Sequence, residues 1–406
     1  MERIYLDYSS TAPVDSAVLK AMKPYFSGVF GNPGSLHQFG QEASAAVFKA
    51  RRGIGAAIGT DYKEIIFTGS ATEANNLALR GTVNNLKSLR LWRTNLKSFS
   101  KPRLIISAIE HESILETAKD LESQGVEVIY LPVSREGIVD LKKLEASLNK
   151  RTALVSIMYA NNEIGSIQPI AEIAKAISNL KSSFQFPVSS FPVFHTDAVQ
   201  ALQYLDCGVN NLGVDLMTIS AHKIYGPKGI GALYVRNPKQ IPNPKSQILN
   251  PIITGGGQEF GIRSGTENVP YIVGFGKAVK LALERRKKEI KRVAQLRDYF
   301  WRELKKIYEQ VELNGPDFRE RLPNNLNIHF PGYGANELLI KLDLAGISVS
   351  AGSACASRIS KPSHVLSIIG LDARRASQSL RFTLGRPTSR GEISQTLKVI
   401  KNVLKK

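Results

Sequence analysis

Lys223 lies in SAHKIYGPKGIGALYV (220–235), directly after the apolar run DLMTIS. An ammonium at the end of a buried strand is uncommon, because desolvating its charge costs several kcal/mol. A lysine so placed suits Schiff-base chemistry, its pKa lowered by its surroundings; a turn lysine on a solvated face is the competing reading. PVFHTDAVQA (192–201) closes a second apolar run with Asp197 and follows it with Gln200. A carboxylate there could keep the nitrogen of a pyridine ring protonated, and an amide could reach a ring hydroxyl. A helix N-cap would use an aspartate equally well. His111, in IISAIEHESI (105–114), could stack on such a ring and relay protons, or serve only a structural end.

EIIFTGSATEANNLALRG (64–81) reads as strand, turn and amphipathic helix. The free N–H groups of such a helix start, with Ala71 and Thr72 in its first turn, form an anion site suited to a phosphate. Thr72 and Glu73 could also be plain capping residues. MYANNEIG (158–165) brings Asn161 and Asn162 to another strand end, where one amide could contact a ring hydroxyl; Asn-Asn with Gly165 also suits a simple turn. ISVSAGSACASRISKP (347–362) sets Cys355 among Gly, Ala and Ser, with Arg358 and Lys361 near enough to favour a thiolate. This pattern reads as an exposed, mobile loop. Cys207, in LDCGVN, is read as incidental.

Positioning these groups at strand ends requires a layered scaffold. EIIFT (64–68), RLIISAI (103–109), EVIYLPV (127–133), ALVSIMYA (153–160), PVFHTDA (192–198), DLMTIS (215–220) and GALYV (231–235) read as strands, several apolar almost throughout. Such strands are buried on both faces by crossover helices, which predicts an α/β domain with a mostly parallel sheet whose ligands lie at the C-terminal strand ends. After about residue 270 a long charged helical stretch (275–310) leads into a mixed region, read as a smaller C-terminal α+β domain. The expected division is 16–286 for the large domain, with 1–15 and 287–406 forming the small one. NNLKSLRLWRTNLKSFSKPR (84–103) and NLKSSFQFPVSSFPV (179–193) read as surface insertions.

The chain has 406 residues, enough for a large core, and its composition is that of a globular protein. No apolar run approaches the ~20 residues needed to cross a bilayer, and the start lacks the apolar stretch of a signal peptide. With only Cys207 and Cys355 there is no disulfide framework or cysteine-rich zinc site. The expected compartment is the cytoplasm. The formal charge of +19 attracts polyanions, but it is spread along the chain without a nucleic-acid-binding motif.

Taken together, FGNPGSLHQFG, GSATEANN, EHES, NNEIG, HTDAVQ, SAHKIYGPKGIGALYV, GIRSGTEN and above all GSACAS resemble the cysteine desulfurases. The likeness is to their NifS/IscS-like group within the fold-type I pyridoxal-phosphate enzymes, and it runs from YLDYSSTAPVD to SLRFTLGR. It implies that Lys223 is joined to pyridoxal phosphate as a Schiff base, with Asp197 at the pyridine nitrogen and His111 stacked on the ring. Gln200 and Asn162 would reach the ring hydroxyl; Ala71, Thr72, Ser220 and His222 would surround the phosphate. Thr266, in GIRSGT, would reach the phosphate of the other subunit of a homodimer. Arg381 would grip the substrate carboxylate, with Asn162 beside it.

The implied reaction takes sulfur from L-cysteine onto Cys355 as a persulfide, leaving L-alanine. Cys355 would then pass the sulfur to an acceptor, such as an iron–sulfur scaffold whose cluster it could contact transiently, or a relay toward tRNA and cofactor thiolation. No resident metal is implied. The turn reads Thr-Gly-Ser-Ala-Thr where the family commonly has Ser before Gly, a departure at the phosphate cradle that spares Thr72. The insertion at 84–103 has no counterpart in the resemblance. Selenocysteine lyase or another fold-type I activity is the alternative within enzymes; a basic nucleic-acid-binding or scaffold protein with an inactive enzyme fold is the alternative outside them.

Overall fold

In the computed structural model the described residues are 3–88, 101–183, 191–237, 248–352 and 363–404. The strands are β1 (Ile4–Tyr5), β2 (Ile65–Thr68), β3 (Arg103–Ser107), β4 (Glu127–Leu131), β5 (Thr152–Ser156) and β6 (Val193–Asp197). They continue with β7 (Leu216–Ser220), β8 (Gly231–Val235), β9 (Glu312–Leu313), β10 (Asn325–His329), β11 (Ile347–Ser348) and β12 (Ser379–Thr383). A seven-stranded sheet runs β2-β8-β7-β6-β5-β3-β4. Its pairs are parallel except those of β8, which lies antiparallel to both β2 and β7.

Successive residues of these strands feed two different cores. Ile65, Phe67, Ile105, Val155, Met217 and Ile219 pack against the helices Gln38–Ala57 and Val269–Ile307. Ile66, Leu104, Ile106, Leu154 and Leu233 pack against the helices Ala71–Ser88 and Glu112–Ser123 on the other face. Period-two alternation with both faces buried is why these strands read as continuous apolar runs.

A second, smaller unit packs around the antiparallel sheet β12-β10-β9. Its core holds Leu326, Ile328, Leu380 and Phe382 together with Ile4 and Leu6 from the N-terminal end. The β1 strand reaches this unit by parallel pairing with β11. The helix Val269–Ile307 is 39 residues long and capped by Asn268, whose side chain accepts from the Tyr271 N–H. Its first half buries Ile272, Phe275 and Val279 against the large sheet; its second buries Val293, Phe300 and Leu304 in the small unit. It starts earlier than the charged stretch suggested, because apolar residues with a Pro in the first turn open it.

The readings at 84–103 and 179–193 need correction at their edges. The helix Ala71–Ser88 runs on into the first and Arg103 already belongs to β3; the helix Ile170–Ser183 runs into the second, and Val193 opens β6. Polar composition resembled a loop because only one face of a helix end needs apolar residues. The middles, 89–100 and 184–190, lie outside the described residues. Among the described residues no helix is long and apolar enough to cross a membrane.

Candidate active site

The parallel strands end at one edge of the large sheet, where backbone dipoles and loop N–H groups converge. A cavity of about 500 Å³ opens there. Lys223, in the turn after β7, lines it, and its Nζ donates to the carbonyls of Ser9 and Ser10 at 2.6 Å each. Those carbonyls belong to the segment between β1 and the first helix, so Ser9 to Thr11 form part of the cavity wall.

Asp197 closes β6 and is 6% exposed. Its Oδ1 accepts from the Val199 N–H at 2.9 Å, a turn contact of the capping kind. Its Oδ2 accepts from Asn75 Nδ2 at 2.8 Å, and the same amide donates to Ser113 Oγ at 2.8 Å. Ser113 in turn meets His111 Nδ1 through both its N–H (3.1 Å) and its hydroxyl (2.9 Å). With Nδ1 accepting from that backbone N–H, the neutral ring carries its proton on Nε2. Burial lowers the His111 pKa, Lys223 adds to the effect, and Asp197 opposes it. The imidazole is therefore neutral at neutral pH.

The opposite wall is an anion cradle. Ala71 and Thr72 occupy the first turn of the helix Ala71–Ser88 and line the cavity with Ser220 and His222. Ser70 Oγ accepts from the Glu73 N–H at 3.1 Å, and Glu73 is held by Arg263 at 2.8 Å. Capping thus falls to Ser70 and Glu73, which leaves Thr72 facing the cavity. Gly231 of β8 passes so near that a Cβ there would lie 2.8 Å from the Ser70 carbonyl carbon and 2.9 Å from the Ala71 nitrogen. Burial, followed by the charges of Lys223 and Lys228, pulls the His222 pKa down to about 4, so this ring too is neutral.

Asn162 and Gln200 both line the cavity; Gln200 Nε2 donates to the Ser9 carbonyl at 3.0 Å. Asn161 does not share this role. Its side chain is spent on the Ile109 carbonyl and on the N–H groups of Glu163 and Ile164. Arg381, 1% exposed in β12, brings the small unit to the site. It donates to Asp7 Oδ1 (2.7 Å), Ser10 Oγ (2.9 Å) and the Asn162 carbonyl (3.0 Å), while its buried Nε has no partner among the described residues.

The donor set fits pyridoxal phosphate. An amine, a carboxylate, a neutral imidazole and a helix-start anion cradle share one cavity, and the Arg381 guanidinium lines it with them. Thr266 is exposed and is not brought to this cavity within one chain. Cys355 lies outside the described residues. Cys207 is buried, its thiol pushed up to about 12 by burial, which makes it a poor nucleophile.

Several contributors carried no signal of their own. Asn75 sits within the motif GSATEANN yet is identified only by its bridge to Asp197 and Ser113. Ser9 and Ser10 act largely through carbonyls, which every residue type has; the single clue was the polar run YSST after a short apolar strand.

The aminotransferase class-V family model matches residues 4–395. Cysteine desulfurase IscS of Dictyoglomus turgidum is 45% identical over 403 residues, covering 99% of this chain and 95% of that protein. The solved structure of a NifS-like protein superposes with a TM-score of 0.86 at 34% identity, covering 99% of both chains. SspA in complex with cysteine superposes with a TM-score of 0.77 at 34% identity, covering 94% of this chain and 98% of that one. The chain belongs to the class-V aminotransferase family and, within it, to the cysteine desulfurases of the IscS and NifS kind.

Proposed function

We infer that the protein is a pyridoxal-phosphate-dependent cysteine desulfurase, which converts L-cysteine to L-alanine and takes up its sulfur. The observation that carries this reading is the meeting of Lys223, Asp197, His111 and Arg381 in one cavity of a chain related end to end to such enzymes. When bound, pyridoxal phosphate supplies an aldehyde for amines and a protonated ring that withdraws electron density.

The residue roles are proposals. Asp197 holds the proton on the ring nitrogen, supported by its burial and by Asn75, which fixes one carboxylate oxygen. Lys223 moves the proton at the substrate's Cα. His111, neutral with Nε2–H available, donates and takes back a proton near the ring. Ala71, Thr72, Ser220 and His222 hold the phosphate; Gln200 and Asn162 serve the ring hydroxyl. Arg381 orients the substrate carboxylate, supported by its place in the cavity wall and by its Nε, which has no partner among the described residues.

Cys355 is proposed as the sulfur acceptor. Its thiolate attacks the substrate sulfur, an S–S bond forms, the C–S bond breaks, and the released pair is protonated at carbon to complete alanine. The described residues flanking it support this. Ser350 pairs with Arg381, and Ser363 Oγ donates to Glu163 Oε2 at 2.5 Å, next to Asn162. We further propose a homodimer in which Thr266 of each chain completes its partner's phosphate site. Its exposure here and the exposed Phe26, Phe30, Leu36 and Phe39 support that reading. The persulfide would go to an acceptor protein such as an iron–sulfur scaffold, in a reducing compartment such as the cytoplasm. The division at residues 16–286 against the rest is likewise proposed, supported by Ile4 and Leu6 packing in the small core.

The test is release of alanine and sulfide from cysteine with a reductant present. Cys355→Ala should keep the yellow bound cofactor and release no sulfide. Full activity in Cys355→Ala would overturn the persulfide step, and a chain unable to take up pyridoxal phosphate would overturn the enzyme reading.

A further inference from the structure

The loop 162–165 that carries Asn162 is held by its backbone, carbonyl by carbonyl, from the small unit. The Asn162 carbonyl accepts from Arg381 Nη1 at 3.0 Å. The Glu163 carbonyl accepts from Asn325 Nδ2 at 3.0 Å and from Asn327 Nδ2 at 3.3 Å. The Ile164 carbonyl accepts from Arg321 Nη1 at 2.7 Å, and the Gly165 carbonyl from the Leu322 N–H at 2.8 Å. Ser166 forms an isolated bridge with Arg321.

Arg321 is the centre of this grip. It is 3% exposed, yet every acceptor of its side chain is neutral: the carbonyls of Ile164, Asn314 and Pro316, and Asn325 Oδ1. Burying a guanidinium without a carboxylate is costly, and an apolar residue of similar volume usually serves stability as well or better. Burial, followed by the charge of Arg297, pulls its pKa down to about 9, the Asp317 carboxylate only partly offsetting them, a sign of that cost. A rigid planar fork can tie two separate backbone segments and a side chain at fixed angles, which a packed Leu or Met cannot. The loop's own geometry agrees. Gly165 has φ +75°, and a Cβ there would lie 2.9 Å from Asn325 Cβ and 3.0 Å from Arg321 Cγ.

We propose that Arg321 is a positioning residue for the reaction, fixing Asn162 at the cavity wall through the backbone of 163–166; this rests on the role given to Asn162 above. The experiment uses the cofactor-loaded enzyme and the variants Arg321→Lys, Asn325→Asp, Asn162→Ala and Asn162→Ala/Arg321→Lys. Asn325→Asp keeps an acceptor for Arg321 while removing a donor to the Glu163 carbonyl, so it tests the neighbouring grip on the same loop, and Arg321→Gln decides the role of Arg321 if Arg321→Lys does not fold.

Readouts are the pH titration of the cofactor's absorption band and the separate kcat and KM for cysteine. Displacing a group by a fraction of an ångström predicts a kcat loss of about tenfold in Arg321→Lys and Asn325→Asp, at full cofactor content. The band's titration should move in the same direction as in Asn162→Ala, and the double variant should be no slower than Asn162→Ala alone. Unchanged titrations in Arg321→Lys and Asn325→Asp, or losses that multiply in the double variant, overturn the proposal. A silent Asn162→Ala overturns the role of Asn162, and this proposal with it, so the two failures are distinguishable.

Discussion

Two histidines, His195 and His111, bear on protonation. His195, two residues before Asp197 on β6, is fully buried between Ser156 Oγ (2.8 Å) and Thr218 Oγ1 (3.0 Å), and burial lowers its pKa to about 3. Between that value and the ordinary ~6.5 the unfolded chain binds a proton that the folded chain refuses. Stability from His195 is therefore complete above pH ~6.5 and is lost as pH falls toward 3, at up to about 1.4 kcal/mol per pH unit. Urea unfolding across pH 4–7 should show this slope, reduced in His195→Gln. His111 follows the same sign: its depressed pKa predicts that any acid limb of kcat/KM due to it lies below the ordinary histidine value. Lys223→Ala should lower kcat by a factor on the order of 10²–10⁴. Borohydride, which fixes an imine-bound cofactor in the parent, should fix none in the variant. Lys223, Asp197 and His111 stood out in the sequence by their types at strand ends, each beside a plain structural alternative, and Arg381 only through the family resemblance. Asn75, Ser9 and Ser10 did not stand out, since amides and carbonyls acquire meaning only from what faces them.

Among the elements, the strands of the large sheet were readable because most are buried on both faces and so write an apolar run, the edge strand β4 excepted. The short pieces were harder: β1 and β11 have two residues each and exist through pairing across most of the chain, which no local window contains. The antiparallel setting of β8 is likewise invisible locally, because the Gly/Pro turn before it fits either direction. The loop 162–165 read either as a ring-hydroxyl contact or as a simple turn, and what grips it was not legible. Gly165→Ala should cost about 1–3 kcal/mol from the left-handed backbone alone, with more from the crowding against Asn325, and thermal unfolding should show it. Phe300→Ala is a contrasting case. Phe300 is fully buried, 5.1 Å from the Phe382 ring, and its removal should cost about 3–5 kcal/mol while the cofactor band keeps its position in the folded fraction.

Over the whole molecule, the division into a large parallel-sheet unit and a smaller α+β unit followed from the change of pattern after residue 270. The crossing of the N-terminal segment into both did not, because Asp7 to Thr11 contributes polar contacts rather than a periodic stripe. Sedimentation equilibrium should give twice the mass of the 44.6 kDa chain if Thr266 completes a neighbouring site. Mixing inactive Lys223→Ala with inactive Thr266→Ala chains should then restore part of the activity, since one site of the mixed pair is intact. The charge of +19 makes any contact with an acidic partner steeply dependent on salt.

The helix Val269–Ile307 spans about 58 Å at 1.5 Å per residue. It is embedded in one core at its start and another at its end, so it works as a beam clamped at both supports. Twisting the two units apart would require bending that beam and tearing the 162–165 handrail in the same motion. Labels at exposed Lys280 and Lys306 should therefore report one fixed spacing, whether or not cysteine occupies the cavity.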